Sequence, residues 1–177
     1  RSHGPDHHLR VCKNCIMLAS KYKANLEVLI PAALLHDLAA YYPEKTGDKY
    51  HEFDHKLALK VLKKYKLDRN IILKILYAIQ NHGSDAKYKS AEEPIEVTIL
   101  RDADKMDVFG AIGIARVIMV RTLKGDRIND IVDDFLTKGH LQRKWESITL
   151  PETKVLVKSD YEYAINFFEQ LKTQIKI

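Results

Sequence analysis

The chain has 177 residues, of which 46% are hydrophobic and 30% charged, with a formal net charge of +5 and a pI near 9.0. This length fits one domain with a real core; no run of roughly 18 apolar residues and no signal-peptide pattern is found, so a membrane span and secretion are not expected and the cytoplasm is the expected location. The lysines are scattered through amphipathic segments, which argues against a nucleic-acid groove and for a solvated helical surface, and is compatible with a basic mouth that attracts a small phosphorylated substrate.

Over residues 7–22, Val11, Ile16, Met17, Leu18 and Ala19 predict a helix, and His7 and Arg10 share a face at i, i+3. His3 and His8 read as surface histidines. Cys12 and Cys15 form a C-x-x-C inside this helical pattern; without a second cysteine pair to complete a zinc site they read as small core residues. A second helix is predicted over residues 27–40, closed by Tyr41-Tyr42-Pro43 and a polar turn at Gly47.

A third helix is predicted over residues 51–65, with Leu57, Ala58, Val61 and Leu62 on one side. His51-Glu52-Phe53-Asp54-His55 matches the zinc-peptidase word H-E-x-x-H. The helix opens at His51 and its flanks are charged, so the apolar support that such a site needs is missing.

Asp68 caps a fourth helix through Ile71, Ile72, Ile75, Leu76 and Ile79 that stops near Gly83. His82 at its end has two readings: a ring that complements the helix dipole, or a group that faces a pocket and donates to phosphate. Residues 83–93 are polar and predict an exposed loop that overhangs the site.

Pro94 opens a fifth helix through Val97, Ile99 and Leu100 into Asp102, Asp104 and Asp107. These three carboxylates cannot all face one point, although Asp104 and Asp107 share a face. Gly110-Ala111-Ile112-Gly113-Ile114-Ala115 starts a sixth helix whose small residues allow close packing, and no phosphate-loop pattern accompanies it.

A helix after Asp126 is expected to bury Ile128, Ile131, Val132, Phe135 and Leu136 and to stop at Gly139. A last one follows Ser159 through Tyr163, Ile165, Phe167, Phe168 and Leu171, with a turn at Pro151 before it. The only alternating stretch is residues 154–157, so the fold class is all-α. This C-terminal part carries no chemical motif and is expected to complete the core or to form a homo-oligomer interface.

Within this series one feature demands chemistry. His36 and Asp37 follow the apolar run Val28-Leu29-Ile30-Pro31-Ala32-Ala33-Leu34-Leu35, and a buried helix does not carry an imidazole and a carboxylate side by side unless something compensates them. A shared divalent metal would do so. On a helix the two side chains would diverge by about 100°, so the ion would have to sit at the helix flank. An imidazole is then needed upstream, where His7 and His8 stand, and a carboxylate downstream, where Asp102, Asp104 and Asp107 stand.

In order, His7-x-x-Arg10-Val11, Ala32-Ala33-Leu34-Leu35-His36-Asp37, Ala78-Ile79-x-x-His82 and Asp102-Ala103-Asp104-Lys105-Met106-Asp107 with Gly110-Ala111-Ile112-Gly113-Ile114-Ala115-Arg116 resemble the HD-domain metal-dependent phosphohydrolases. Their signature is a histidine, an adjacent His-Asp pair and a later aspartate, and the resemblance spans roughly residues 2 to 120. It implies an all-α HD-domain helical bundle, here one domain over residues 1–177 whose C-terminal helices, 126–177, complete it. It selects His7, His36, Asp37 and Asp104 as ligands of one divalent transition metal, with Mn, Fe, Ni, Co or Zn preferred over Mg because of the imidazoles.

Some HD proteins hold a second metal with histidines from the regions of His55 and His82. The implied reaction is hydrolysis of a phosphoester or phosphoanhydride. Asp37 or His82 would move the proton; Lys105, Arg10 and Arg116 would steady charge on phosphate, with His55 beside the substrate; and Asp102 and Asp107 would orient ligands. The implied substrate is a nucleotide, and the most specific form is cleavage of a nucleoside triphosphate to monophosphate and pyrophosphate. The alternative is a non-catalytic HD module that senses metal and nucleotide. Related sequences often carry an aspartate after the first histidine and an Asp-x-Lys soon after the pair, where this chain has His3-Gly4 and Leu38-Ala39-Ala40-Tyr41.

Overall fold

The computed structural model describes residues 4–42, 50–83 and 93–175, and the backbone alone of Tyr50 and His51. The expectations placed on His3, on the turn around Gly47, on the side chain of His51 and on most of the loop at 83–93 lie outside the described residues. Among those residues there are nine α-helices and no strand, as an all-α HD bundle requires. Contacts divide the chain inside its fifth helix into two compact units, His3–Ala103 and Asp104–Ile177.

In the first unit, α1 (Pro5–Tyr22) begins with proline, which has no N–H to lose at a helix start, and carries Asp6 and Lys21 where they complement the dipole. Its buried positions His7, His8, Val11, Cys12, Cys15, Leu18 and Ala19 recur every three to four residues. Helix α2 (Leu26–Leu35) is capped by Asn25, whose side chain accepts from the Glu27 N–H at 2.8 Å, and it buries Val28, Leu29, Ala32 and Ala33. Helix α2 packs on α1 and on α4 (Arg69–Asn81), and α4 packs on α3 (Tyr50–Leu62). Asp68 caps α4 as expected, accepting from the N–H of Asn70 and Ile71. Helix α5 (Ile95–Met106) is tied to its neighbours by polar side chains: Asn14 donates to the Ala103 carbonyl at 3.4 Å, and Glu96 accepts from the Asn25 N–H at 2.8 Å.

The second predicted helix is corrected. It stops at Leu35 rather than Ala40, because His36 turns extended (ψ 152°) and Asp37 adopts a left-handed backbone (φ 57°), after which Leu38–Tyr41 forms one 3-10 turn. The third helix likewise stops at Leu62, with turns in place of its last predicted residues.

In the second unit, α6 (Gly110–Leu123) packs on α9 (Pro151–Ile175), which α7 (Ile128–Val132) and α8 (His140–Glu146) also meet. A π-helical turn, Asp133–Thr137, continues α7 and ends before Gly139, whose φ of 67° suits glycine. The core joins Phe109, Ile114, Ile131, Val132, Phe135, Leu141, Ile148, Val157, Ala164 and Phe168.

Here too the sequence reading needs correction. Pro151 starts the last helix eight residues before Ser159, and residues 154–157 are helical: Thr153, Val157, Ala164 and Phe168 mark a helical stripe that the short alternation concealed. Helix α8 was not predicted at all, Ile128 is 36% exposed, and Tyr163 is 51% exposed.

Candidate metal centre

The break after Leu35 removes the constraint that a helix would impose on the His-Asp pair. His36 and Asp37 do not diverge as consecutive helical residues, because each has its own backbone conformation, and both are buried at the end of α2. From α1, the first-turn residue His7 is 2% exposed and its Nε2 lies 3.2 Å from Nε2 of His36. The ligand atoms of His7, His36 and Asp37 lie within 4.8 Å of one another.

The hydrogen bonds fix how these rings present themselves. His36 Nδ1 stands 2.7 Å from the Ala33 carbonyl, which can only accept, so Nδ1 carries the proton and Nε2 offers its lone pair. A proton between the two Nε2 atoms satisfies that pair, and so does a cation in its place. The 3.2 Å spacing is close to the ~3 Å that separates two nitrogens at right angles around an ion with bonds of ~2.1 Å. With a carboxylate beside them, this donor set suits a borderline divalent transition ion.

His82 joins the same cluster. It caps α4, is 4% exposed, and its Nδ1 donates to the Ile79 carbonyl at 2.6 Å, which turns Nε2 toward Asp37 Oδ1 at 3.6 Å. The ring thus both bonds a carbonyl at the end of α4, as the helix-terminus reading expects, and faces Asp37, as the pocket reading expects. The Asn81 carbonyl just before it accepts from Arg101 at 2.6 Å, and Arg101 also makes two 2.8 Å bonds to Glu93.

Sequence reasoning missed two residues here. His8, expected on the surface, is 5% exposed, with its ring 5.0 Å from His36 and stacked at 6.1 Å on Tyr41. Its place in the stripe with Val11, Cys12 and Cys15 was the available signal. Asp54 is 0% exposed on α3 and accepts from the N–H groups of Asp37 at 3.0 Å and Ala39 at 3.1 Å. Burial pushes its carboxyl up to about 6; the Ala39 N–H bond opposes this and the nearby Asp37 charge adds to it. Asp54, Ala58 and Leu62 form one buried i, i+4, i+8 row, a pattern overshadowed by the H-E-x-x-H word.

The other expected residues stand as follows. Arg10 on α1 and His55 on α3 are partly buried, and His55 is not among the described residues whose ligand atoms gather within 4.8 Å. Asp102, at 0% exposure, is an interior carboxylate of the first unit rather than a solvated one. In the second unit Asp104 is partly buried on α5, and Lys105, 3% exposed, donates to the Ser147 carbonyl at 2.5 Å, so its ammonium satisfies the end of α8. Asp107 is 7% exposed and is paired with Arg116, which also donates to the Asp107 carbonyl. Cys12 and Cys15 are buried thiols, and burial pushes Cys12 up. No described helix is long and apolar enough to cross a membrane.

Comparison with known proteins adds four findings. The family model described as "HD domain" matches residues 6–108. The uncharacterized protein YpgQ of Bacillus subtilis is 29% identical over 177 aligned residues, covering 96% of this chain and 83% of its own. The crystal structure of that YpgQ in complex with ADP superposes with a TM-score of 0.75 at 22% identity, covering 99% of this chain and 91% of its own. An HD-superfamily hydrolase from Bacillus thuringiensis superposes with a TM-score of 0.73 at 24% identity, covering 95% and 84%.

Proposed function

This chain belongs to the HD domain family, and on that premise we propose that it is a divalent-metal-dependent phosphohydrolase of nucleotides, with nucleoside triphosphate cleavage to monophosphate and pyrophosphate as its reaction. The observation that carries the proposal is the buried meeting of His7, His36 and Asp37 with their ligand atoms within 4.8 Å. Asp104 is proposed as the fourth ligand: it follows Ala103, whose carbonyl is held by Asn14 of the helix that carries His7. Mn, Fe, Ni, Co or Zn fits this nitrogen and oxygen set better than Mg, whose ligation is almost wholly oxygen.

The chemistry supplied by such an ion when bound is acidification of a water toward neutrality and neutralisation of charge at phosphorus. His82, its Nδ1 proton committed to Ile79 and its Nε2 turned toward Asp37, is assigned to accept a proton and return it to the leaving oxygen. Arg10, on the same helix as His7, is assigned to phosphate. The bonds of Lys105 to Ser147 and of Arg116 to Asp107 support structural roles for those two cations. The nucleotide part of the reading is supported by the relative YpgQ, whose structure was determined with ADP.

The test is metal analysis of the parent and Asp104→Ala proteins, followed by a nucleoside triphosphate panel with Mn²⁺. Stoichiometric metal in the parent, loss in the variant, and release of pyrophosphate are expected. Absence of metal from both, with no binding of added Mn²⁺, would overturn the assignment. Metal and nucleotide binding without turnover would favour the sensing module, a reading supported by the apolar Leu38-Ala39-Ala40 where related sequences carry Asp-x-Lys.

A further inference from the structure

The turn that carries Asp37 has an unusual division of labour. Asp37 is the N-cap of the 3-10 turn Leu38–Tyr41, and an aspartate in that position ordinarily folds its carboxylate back onto the N–H of the second or third residue inside. Here the Asp37 side chain makes no such cap bond. The N–H of Ala39, the second residue of the turn, donates instead to Oδ1 of Asp54 at 3.1 Å, and the N–H of Asp37 itself donates to Oδ2 at 3.0 Å. The capping carboxylate therefore comes from another helix, α3, seventeen residues later in the chain, and is wholly buried.

We propose that Asp54 is a positioning residue for the metal centre: by capping the turn in place of Asp37, it keeps the Asp37 carboxylate directed at the cation rather than at its own backbone. This rests on the reading of His7, His36 and Asp37 as metal ligands. The geometry explains why the residue is a carboxylate. Two N–H groups on one turn need two acceptors held at a fixed separation, which a carboxylate provides and an amide or a hydroxyl does not. It also explains how a non-glycine residue is held at φ 57°: the bonds on its own N–H and on the N–H two residues later fix the peptides on both sides. Without Asp54, the Ala39 N–H becomes a competitor for the Asp37 carboxylate, and a ligand engaged by its own backbone binds an ion less well.

Mn²⁺ titration by calorimetry of the apo parent, Asp54→Ala and Asp54→Asn proteins tests this, well below each protein's melting temperature. Asp54→Ala, which loses both acceptors, is expected to weaken Mn²⁺ binding by up to about a hundredfold, and Asp54→Asn, which keeps one, by about tenfold. If the alanine variant does not fold, the isosteric asparagine variant decides alone. A residue that merely holds the fold together would lower the melting temperature and leave Mn²⁺ affinity unchanged below it; parent-like affinity in a folded variant overturns the proposal while the metal reading stands. A parent that binds no Mn²⁺ overturns both.

Discussion

Nε2 of His82 faces Oδ1 of Asp37 across 3.6 Å, and the opposite nitrogen of the ring is held by the Ile79 carbonyl at 2.6 Å. That second bond fixes the tautomer, so the ring cannot turn away without leaving a buried carbonyl unsatisfied. His82→Gln is expected to lower turnover by roughly 10²–10⁴-fold while the protein keeps its metal. Steady-state rates and metal content measured on the same preparation decide the point, since loss of the metal would make His82 a ligand.

The backbone at Asp37 separates two consequences of one substitution. Its φ of 57° lies in the left-handed region, which costs a residue with a Cβ roughly 1–2 kcal/mol and glycine almost nothing. Asp37→Gly and Asp37→Ala should both lose the metal, but the apo glycine variant should be the more stable by about 1 kcal/mol. Urea unfolding of the two apo proteins measures the difference, and equal stabilities would mean that the turn relaxes once the carboxylate is gone.

Arg101 is 2% exposed, and its guanidinium reaches both oxygens of Glu93 and the Asn81 carbonyl next to His82. Removing one member of a buried pair strands the other's charge in a medium of low dielectric. Glu93→Ala should therefore cost about 3–5 kcal/mol, far more than an exposed pair such as Lys56–Glu52. Chemical denaturation of both glutamate variants gives the comparison, and a small loss at Glu93 would show that water reaches the guanidinium.

In α6, a Cβ at Gly113 would fall on the backbone carbonyl of Val108, and main chain cannot give way as a flexible side chain can. Gly113→Ala should destabilise the second unit by more than about 3 kcal/mol. Gly125→Ala, at φ 94° but in open space, should cost only about 1 kcal/mol. Melting curves of the two variants are expected to differ plainly, and similar curves would contradict the close approach at Val108.

His140 supplies a pH test in the second unit. Burial pushes its imidazole below the ordinary 6.5; Lys144, Arg143 and Arg121 act in the same direction and Asp134 opposes them, while the ring lies 4.8 Å from that of Phe135. The fold therefore prefers the neutral ring, and as the pH falls through 6.5 the unfolded chain takes up the proton first. This contribution to stability is intact above 6.5 and is lost as the pH drops toward the folded value. The melting temperature of His140→Phe should fall less between pH 7 and pH 5 than that of the parent, and a His140 titration midpoint at or above 6.5 by NMR would contradict the burial effect.

Local pattern made much of the fold legible. Asp68 capping α4, Gly139 ending the π turn and the helix of α1 are set by neighbours in the sequence and match the structure, although the buried face of α1 is His7, His8, Val11, Cys12, Cys15, Leu18 and Ala19, and Ile16 and Met17 are exposed. The boundaries that failed were those decided at a distance. Nothing in Leu34-Leu35-His36-Asp37-Leu38 says that the helix ends at Leu35, because the carboxylate that holds the turn comes from Asp54. Likewise, residues 154–157 look extended until α9 is seen to bury Thr153 and Val157 on one side.

For the site, the sequence by itself determined the family: the ordered histidine, His-Asp pair and aspartate all lie within residues 6–108, which match the HD domain. Tertiary structure alone decided that His36 and Asp37 leave the helix and so avoid the 100° divergence, and that His82 turns its Nε2 toward Asp37, whereas the interior places of His8 and Asp54 follow helical rows that the sequence already carries. The physical reason is that side-chain type and helical period are local properties. Tautomer and the partner of a turn's N–H groups depend on which distant helix is packed against it.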